Sequence, residues 1–535
     1  MSAVSESPPR GVAVESARRR TFAVISHPDA GKSTLTEALA LHARVISEAG
    51  AVHGKAGRQG VVSDWLEMER ARGISITSAA LQFSYRDTVI NLLDTPGHAD
   101  FSEDTYRVLA AVDSAVMLLD AAKGLEPQTL KLFEVCRYRG IPVITFVNKW
   151  DRPGRDALAL CDELVDRIGL RPMPLTWPVG VAGHFRGVLD VADGSFVRYE
   201  RTAGGATVAP EERLSAERAE AEEGEDWQRA REEAELLAAD GGEFDPAAFA
   251  AGTGTPVLFG AAVLNFGVRH LLDVLLELAP RPEPRVDVEG RARPLDAPFS
   301  AFVFKVQTGM DRAHRDQVAF ARVCSGLFER GMVVTNATTG RPFATKYAQQ
   351  VFGQQRSTVE QAYPGDVIGL VNASALRVGD TLYADKPPVR FPGLPSFAPA
   401  HFATARPVDL SRAKQFRRGV EQLESEGVVQ VLRSDLRGDA VPVFAAVGPM
   451  QFDVAAHRLE HEFGCTVRLD RLPYHTVRKL GDPAQRPLID AGHRSEVLTR
   501  TDGTELALFD DDMALRILQR RHPDLVLEPL LAEGG

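Results

Sequence analysis

The sequence predicts a multidomain chain of α/β plus β architecture: an α/β domain on a parallel sheet, then a β-barrel, then an α+β C-terminal domain. Three observations predict it. Through the first half, short apolar runs alternate with helical patterns, which is the α/β signature. Two proline clusters break the second half, Pro280-Arg281-Pro282-Glu283-Pro284 and the group Pro387, Pro388, Pro392, Pro395 and Pro399. The 535 residues exceed what one core holds and suggest about three domains. The expected boundaries are a disordered tail over 1–19, an α/β domain over 20–283, a barrel over 295–390 and an α+β domain over 400–535.

In the first domain, buried strands are expected at 21–25, 89–93, 115–119, 142–147 and 256–259. Each is four to six mostly apolar residues, as a parallel sheet covered on both faces requires. Polar, small or glycine-containing segments follow all five. Ligands of open α/β sheets bind at the carboxyl ends of strands, so these segments are where chemistry is expected. Beyond the first proline cluster, β-branched and Gly-rich sequence with turns such as Tyr363-Pro364-Gly365-Asp366 predicts the barrel. The last domain alternates expected helices at 412–424 and 450–463 with strands near 428–432 and 443–447.

Composition excludes several classes. A hydrophobic content of 44% and a charged content of 25% are those of a globular chain. No apolar run approaches the roughly 20 residues of a membrane span. The polar lead ending in Arg18, Arg19 and Arg20 is no signal peptide. Cys136, Cys161, Cys324 and Cys465 have no metal-ligand spacing and are expected as buried thiols of a reducing, cytoplasmic compartment. The net charge is −11, and residues 211–243 alone carry 13 acidic against 4 basic side chains, a net of −9. That stretch is expected as a solvated helical insertion near 205–250. The rest is nearly neutral, which argues against a free-standing basic-patch nucleic-acid domain. No membrane and no DNA partner is expected, and the chain is expected to be monomeric.

Three loops carry the chemistry. The first, Ser26-His27-Pro28-Asp29-Ala30-Gly31-Lys32-Ser33-Thr34, lies between an expected strand and helix and matches the phosphate-binding P-loop, with Ser26 in place of the usual Gly. Such a loop aims backbone N–H groups and a helix N-terminus at phosphate. Lys32 supplies a point charge to the β- and γ-phosphates and Ser33 a hydroxyl to Mg²⁺. The second, Asp94-Thr95-Pro96-Gly97-His98, offers a carboxylate for Mg²⁺ and the Gly97 N–H for a γ-phosphate. A peptide that binds only when that phosphate is present is a switch. The third, Asn148-Lys149-Trp150-Asp151, selects guanine, whose N1–H and N2–H₂ donors suit the Asp151 carboxylate as adenine cannot. Asn148 is expected to tie this loop to the P-loop and the Lys149 stem to cover the base. Between the first two loops, Arg72-Gly73-Ile74-Ser75-Ile76-Thr77 supplies a hydroxyl for the Mg²⁺ shell; Ser75 is the best positional match and Thr77 the alternative.

Taken together, these motifs resemble the translational GTPases. The resemblance implies ribosome-dependent hydrolysis of GTP to GDP and phosphate with Mg²⁺, His98 orienting the attacking water, and Asp29 beside a monovalent cation. Within that group, residues 25–32, Met310 to Phe320, Ala362 to Asp366, Gly448 to Val454 and Phe259 to Val268 resemble the class-3 peptide chain release factors. This covers roughly Arg20 to Val477. It implies ribosomal partners, a translational-factor barrel, and release of class-1 release factors after the peptide is freed. It also assigns Ala261, Ala262 and Val263 to the last guanine loop. Ala261 stands where Ser or Thr is usual, so a side-chain hydrogen bond worth on the order of 1 kcal/mol is absent. The run Arg412, Lys414, Arg417 and Arg418 suits either ribosomal RNA phosphates or a solvated helix face. The alternatives are another ribosome-associated GTPase of elongation or ribosome-protection type, expected to carry further C-terminal domains, and a P-loop metabolic enzyme. The latter needs substrate-specific groups that do not stand out near the P-loop.

Overall fold

The computed structural model describes residues 11–44, 80–95, 102–202, 207–308, 317–352, 355–371, 373, 375–394, 398–435, 437–438, 441–492 and 494–530. The first half contributes β1 (Arg19–Ser26), β2 (Ala80–Tyr85), β3 (Thr88–Asp94), β4 (Ser114–Asp120), β5 (Val143–Asn148), β6 (Arg171–Pro174), β7 (Thr176–Val179), β8 (Gly187–Asp190), β9 (Phe196–Tyr199), β10 (Glu211–Leu214) and β11 (Gly254–Phe259). Seven of these form one sheet in the order β2-β3-β1-β4-β5-β11-β6. Its pairings are parallel except for β2, which runs antiparallel to β3.

Period-two alternation sends each strand's side chains into two cores. Phe22 and Val24 of β1 pack with Leu35, Leu39 and Leu271 on one face, while Ala23 and Ile25 pack with Leu132 and Phe133 on the other. All five strands expected from sequence are present, with ends displaced by a few residues. The two edges were not foreseen. β2 carries polar Gln82 and Ser84. β6 holds two prolines, tolerated where the far side has no ladder to donate to.

Two expectations are corrected. The lead assigned to a tail holds helix Val12–Ala17, which precedes β1. The arginines of that lead are held in the fold: Arg18 pairs with Glu15 and Asp87, Arg19 with Glu15 and Asp366, and Arg20 donates to the Ala17, Arg19 and Leu276 carbonyls. The acidic insertion is not simply solvated helix. It opens with β10, the edge of a separate four-stranded antiparallel sheet ordered β10-β9-β8-β7. Helices Ala216–Glu223 and Glu225–Leu237 follow, burying Leu214, Ala219, Trp227 and Ala230 while their charged faces stay outside.

Beyond the linker, eight strands between Ser300 and Tyr383 form an antiparallel barrel sheet. Val303, Ala319, Ala321 and Leu370 fill its interior, whereas Phe302, Phe304 and Phe320 join the core of the first domain. The last region is an eight-stranded antiparallel sheet. Helices Ala413–Glu426 and Met450–Phe463 cover one face through Phe416, Leu423, Phe452 and Leu459. All four cysteines are free and buried, and burial pushes the Cys136 and Cys161 thiols up to about 12. Among the described residues no helix is long and apolar enough to cross a membrane.

His42 ends helix Lys32–His42 and His270 lies in helix Val268–Leu278, and burial lowers both to about 4 from 6.5. Between those values the unfolded chain binds protons that the folded chain refuses, so their contribution is complete above about pH 6.5 and shrinks as pH falls toward 4. The His270→Gln variant should therefore lose less thermal midpoint between pH 7.5 and pH 5 than the parent. Equal losses in the two proteins would assign the acid sensitivity elsewhere.

Candidate functional site

The three sequence loops meet at the carboxyl ends of β1, β3 and β5, as the parallel topology requires. After β1 the chain turns through Asp29 (φ 65°) and Gly31 (φ 96°) into helix Lys32–His42. The helix begins at Lys32, so Lys32 itself lies in its first turn. Gly31 is required on two grounds. Its φ is left-handed, and a Cβ there would lie 2.5 Å from Asn148 Nδ2.

Asn148 is the centre of the arrangement. Its Nδ2 donates to the Ala30 carbonyl at 2.8 Å, and its Oδ1 accepts from the Ala262 N–H at 2.9 Å. One side chain thus joins the P-loop, the guanine loop and the last loop. The backbone adds a second tie, Trp150 N–H to the Gly260 carbonyl at 3.1 Å. The Trp150 ring, 2% exposed, packs edge-on to Phe259 and donates Nε1–H to the Gly180 carbonyl. Ala261 and Phe266 exchange backbone hydrogen bonds of 3.0 and 3.1 Å, which closes the last loop. Ala261 and Ala262 are buried, and the Val263 side chain is 43% exposed.

Lys149, also at positive φ, donates Nζ–H to the Asp29 carbonyl and to Asp120 Oδ2, the latter at 2.8 Å. Burial would raise the Asp120 carboxyl, yet the hydrogen bonds from Lys149 and the Ala122 N–H hold it below its ordinary range. Asp120 was missed in the sequence. It ends β4 just as Asp94 ends β3 and Asn148 ends β5, and that shared position was the available signal. Glu126 was missed as well; its Oε1 lies 3.1 Å from His27 Nε2.

At the phosphate end, Lys32 Nζ faces Asp94 Oδ1 at 3.0 Å, with both side chains almost wholly buried. Neither atom makes a hydrogen bond of good geometry, and Ser26 Oγ and Asp151 Oδ1 are likewise buried without one. Buried polar atoms are normally satisfied, so a cation, a carboxylate and a hydroxyl at one end and a carboxylate at the other mark a surface built for a polar ligand. Thr95 is spoken for: its Oγ1 donates to the Val24 carbonyl at 2.7 Å and pins the start of the second loop to β1. Ser33 and Thr34 are partly exposed in the helix's first turn, and Asp29 is exposed. Ser75, Thr77, Pro96, Gly97 and His98 lie outside the described residues.

The comparisons with known proteins follow the same three-part division. The family Elongation factor Tu GTP binding domain matches residues 17–281, Elongation factor G domain 2 matches 298–385, and Class II release factor RF3, C-terminal domain, matches 391–519. Peptide chain release factor 3 of Symbiobacterium thermophilum is 46% identical over 512 residues, 95% of this chain and 97% of the relative. The protein of the same name from Rippkaea orientalis is 48% identical over 97% of each chain. A crystal structure from Thermus thermophilus superimposes with a TM-score of 0.69 over 91% of this chain and 72% of that one, at 24% identity, a likeness of fold alone. On this nearly full-length agreement, the chain belongs to the peptide chain release factor 3 family of GTP-hydrolysing translation factors.

Proposed function

We propose that this protein hydrolyses GTP on the ribosome and in doing so drives class-1 release factors off it once the peptide has been freed. The observation that carries the reading is the pair of polar ends, Lys32 beside Asp94 and the Asp151 carboxylate with a buried oxygen lacking a hydrogen bond, on loops joined by Asn148. The first suits phosphates and the second suits a guanine edge. The release-factor relatives and the match over 391–519 support the termination role.

In this mechanism the backbone N–H groups of residues 29–33 and the Lys32 ammonium bind the β- and γ-phosphates. Asp151 accepts from guanine N1–H and N2–H₂, the Lys149 stem covers the base, and the Ala261, Ala262 and Val263 backbone meets its carbonyl. The hydroxyl and carboxylate oxygens of Ser33, Ser75 and Asp94 fit a hard divalent cation, and Mg²⁺ held there would neutralise phosphate charge. Asp29 is assigned a monovalent cation. Gly97 N–H reads the γ-phosphate, Thr95 and Pro96 set the path of that loop, and His98 orients the attacking water. The protein works as a cytoplasmic monomer.

His98→Ala should bind GTP almost normally while ribosome-stimulated hydrolysis falls by about two orders of magnitude, the scale of losing a water-positioning group; parallel loss of binding and hydrolysis would point to a structural role. Asp151→Asn should shift preference toward xanthosine triphosphate, since xanthine presents a carbonyl where guanine has its amino group. Competition assays showing an unchanged preference for GTP would assign base reading to another residue. In termination complexes, a non-hydrolysable GTP analogue should displace the class-1 factor and then trap this protein on the ribosome, because displacement needs differential affinity and departure needs hydrolysis. Displacement by GDP as efficient as by the analogue would refute the mechanism.

A further inference from the structure

The turn Tyr363-Pro364-Gly365-Asp366 is bonded into the barrel through Val323, yet its Asp366 side chain meets the GTPase sheet. Asp366 is 3% exposed. Its Oδ1 accepts from Gln82 Nε2 of β2 at 2.8 Å, from Asn91 Nδ2 of β3 at 3.4 Å and from Arg19 Nε of β1 at 3.3 Å. Its Oδ2 accepts from the same Arg19 Nε at 3.2 Å and from the Tyr363 N–H at 2.9 Å. Gln82 and Asn91 are register partners across β2 and β3, and Gln82 Nε2 also donates to Asn91 Oδ1 at 2.8 Å. Beside this cluster, Thr21 Oγ1 donates to the Gly365 carbonyl at 2.7 Å, and Arg19 lies over the Tyr363 ring. Gly365 has φ +98°, and a Cβ on it would collide with Pro282 Cγ, so this close docking is available only to glycine.

The three strands gathered here are those that lead to the site. β1 runs into the P-loop, β2 follows the Arg72–Thr77 segment, and β3 ends at Asp94, three residues beyond Asn91. Continuous apolar packing of Phe320 and Val367 with Ala23, Ile25 and Leu93 seats the barrel on the sheet, so Asp366 is a fixed reference against which the β2–β3 hairpin is held. Burial pushes the Asp366 carboxyl above its ordinary range although Arg19 opposes the shift. A buried carboxylate that loses one of several donors is costly, so the hairpin has one well-satisfied position relative to the barrel.

We infer that Asp366 is a positioning residue for GTP hydrolysis: through Gln82 and Asn91 it holds the β2–β3 hairpin, and with it Asp94, in the position that GTP with its γ-phosphate requires. The inference rests on the GTPase reading above. GDP, which lacks the γ-phosphate, draws little on this position, whereas GTP and the hydrolysis step draw on it fully. By linkage, the residue's effect on GTP affinity equals the effect of GTP on the hairpin's preference for that position.

The test uses the full-length chain with the Asp366→Asn substitution, and with Gln82→Met combined with Asn91→Leu, which removes both hairpin contacts while leaving Arg19 and Asp366 paired. Both should bind GDP within about twofold of the parent. A non-hydrolysable GTP analogue should bind about fivefold to tenfold more weakly, and the ribosome-stimulated kcat should fall by about tenfold with KM for ribosomes little changed. Gln82→Glu places two carboxylates together and should show the same selective loss or a larger one. Equal weakening of GDP and analogue binding would make the cluster structural only, and parent-like values in the variant with both Gln82→Met and Asn91→Leu would remove the hairpin from the argument. If the parent itself shows no ribosome-stimulated hydrolysis, the GTPase reading falls first and this inference with it; a parent that hydrolyses alongside unaffected variants overturns this inference alone.

Discussion

The Asn148 amide is the interaction on which the rest of the site depends. Loops at the ends of parallel strands have no ladder of their own, so their backbone groups must find partners across the gap between strands. Asn148 supplies one donor to Ala30 and one acceptor to Ala262, and in doing so fixes the separation between the phosphate loop and the last guanine loop. Other features follow from that fixed separation. Gly31 has no Cβ because Asn148 Nδ2 occupies the space, and Lys149 adopts positive φ so that its ammonium can return to Asp29 and Asp120. An Asp at 148 could not donate to the Ala30 carbonyl, and a Gln would have to fold an extra methylene into a fully packed space.

What the sequence made legible divides along physical lines. Parallel strands buried on both faces need unbroken apolar runs, so β1, β3, β4, β5 and β11 stood out. β2 and β6 did not, because an edge strand is free to be polar, as at Gln82, or to hold prolines, as at Pro172 and Pro174. The P-loop and guanine loop were readable because their chemistry fixes residue type and spacing together. Asp120 and Glu126 were not, since each acts through a partner distant in sequence, Lys149 and His27. The arginines at 18 and 19 misled for the same reason: in isolation they read as a tail, and only the fold reveals Glu15, Asp87 and Asp366 opposite them. Trp227 shows the reverse error. Surrounded by acids in the sequence, it is nonetheless fully buried against Phe196, because a helix averages its charges on one face and its apolar groups on the other.

The distribution of apolar cores bears on how the three regions cooperate. A single cluster runs from β4 and β5 through Ala110, Ala111 and Val112 to Phe302, Phe320 and Phe391, so the GTPase sheet and the barrel share one interior. Buried ion pairs refine that contact: Arg322 with Asp113 at 2.6 Å, and Lys305 with Asp104 at 3.3 Å. Burial raises the Asp113 carboxyl despite Arg322, a sign that this pair specifies alignment and adds little net stability. The C-terminal region instead closes its own clusters around Phe416 and Phe452, around Leu498 and Leu508, and around Ile489 and Phe509. Its contacts with the GTPase domain include Arg107, which reaches the carbonyls of Glu426 and Gly427 at 3.5 and 3.4 Å, at the end of helix Ala413–Glu426.

That asymmetry has a mechanical consequence. Separating two domains with a common core exposes apolar area at roughly 25 cal/mol per Å², which no change in a nucleotide loop readily supplies. Separating domains joined through long hydrogen bonds costs far less, because water replaces the lost partners. Arg107 lies on helix Ser102–Leu109, a few residues after the Asp94–His98 loop, and its guanidinium meets the carbonyl end of a helix, where a cation is favoured by the dipole. The same helix also carries Asp104, paired with the barrel through Lys305. Helix Ser102–Leu109 therefore stands between the two, touching the barrel through Asp104 and the C-terminal region through Arg107.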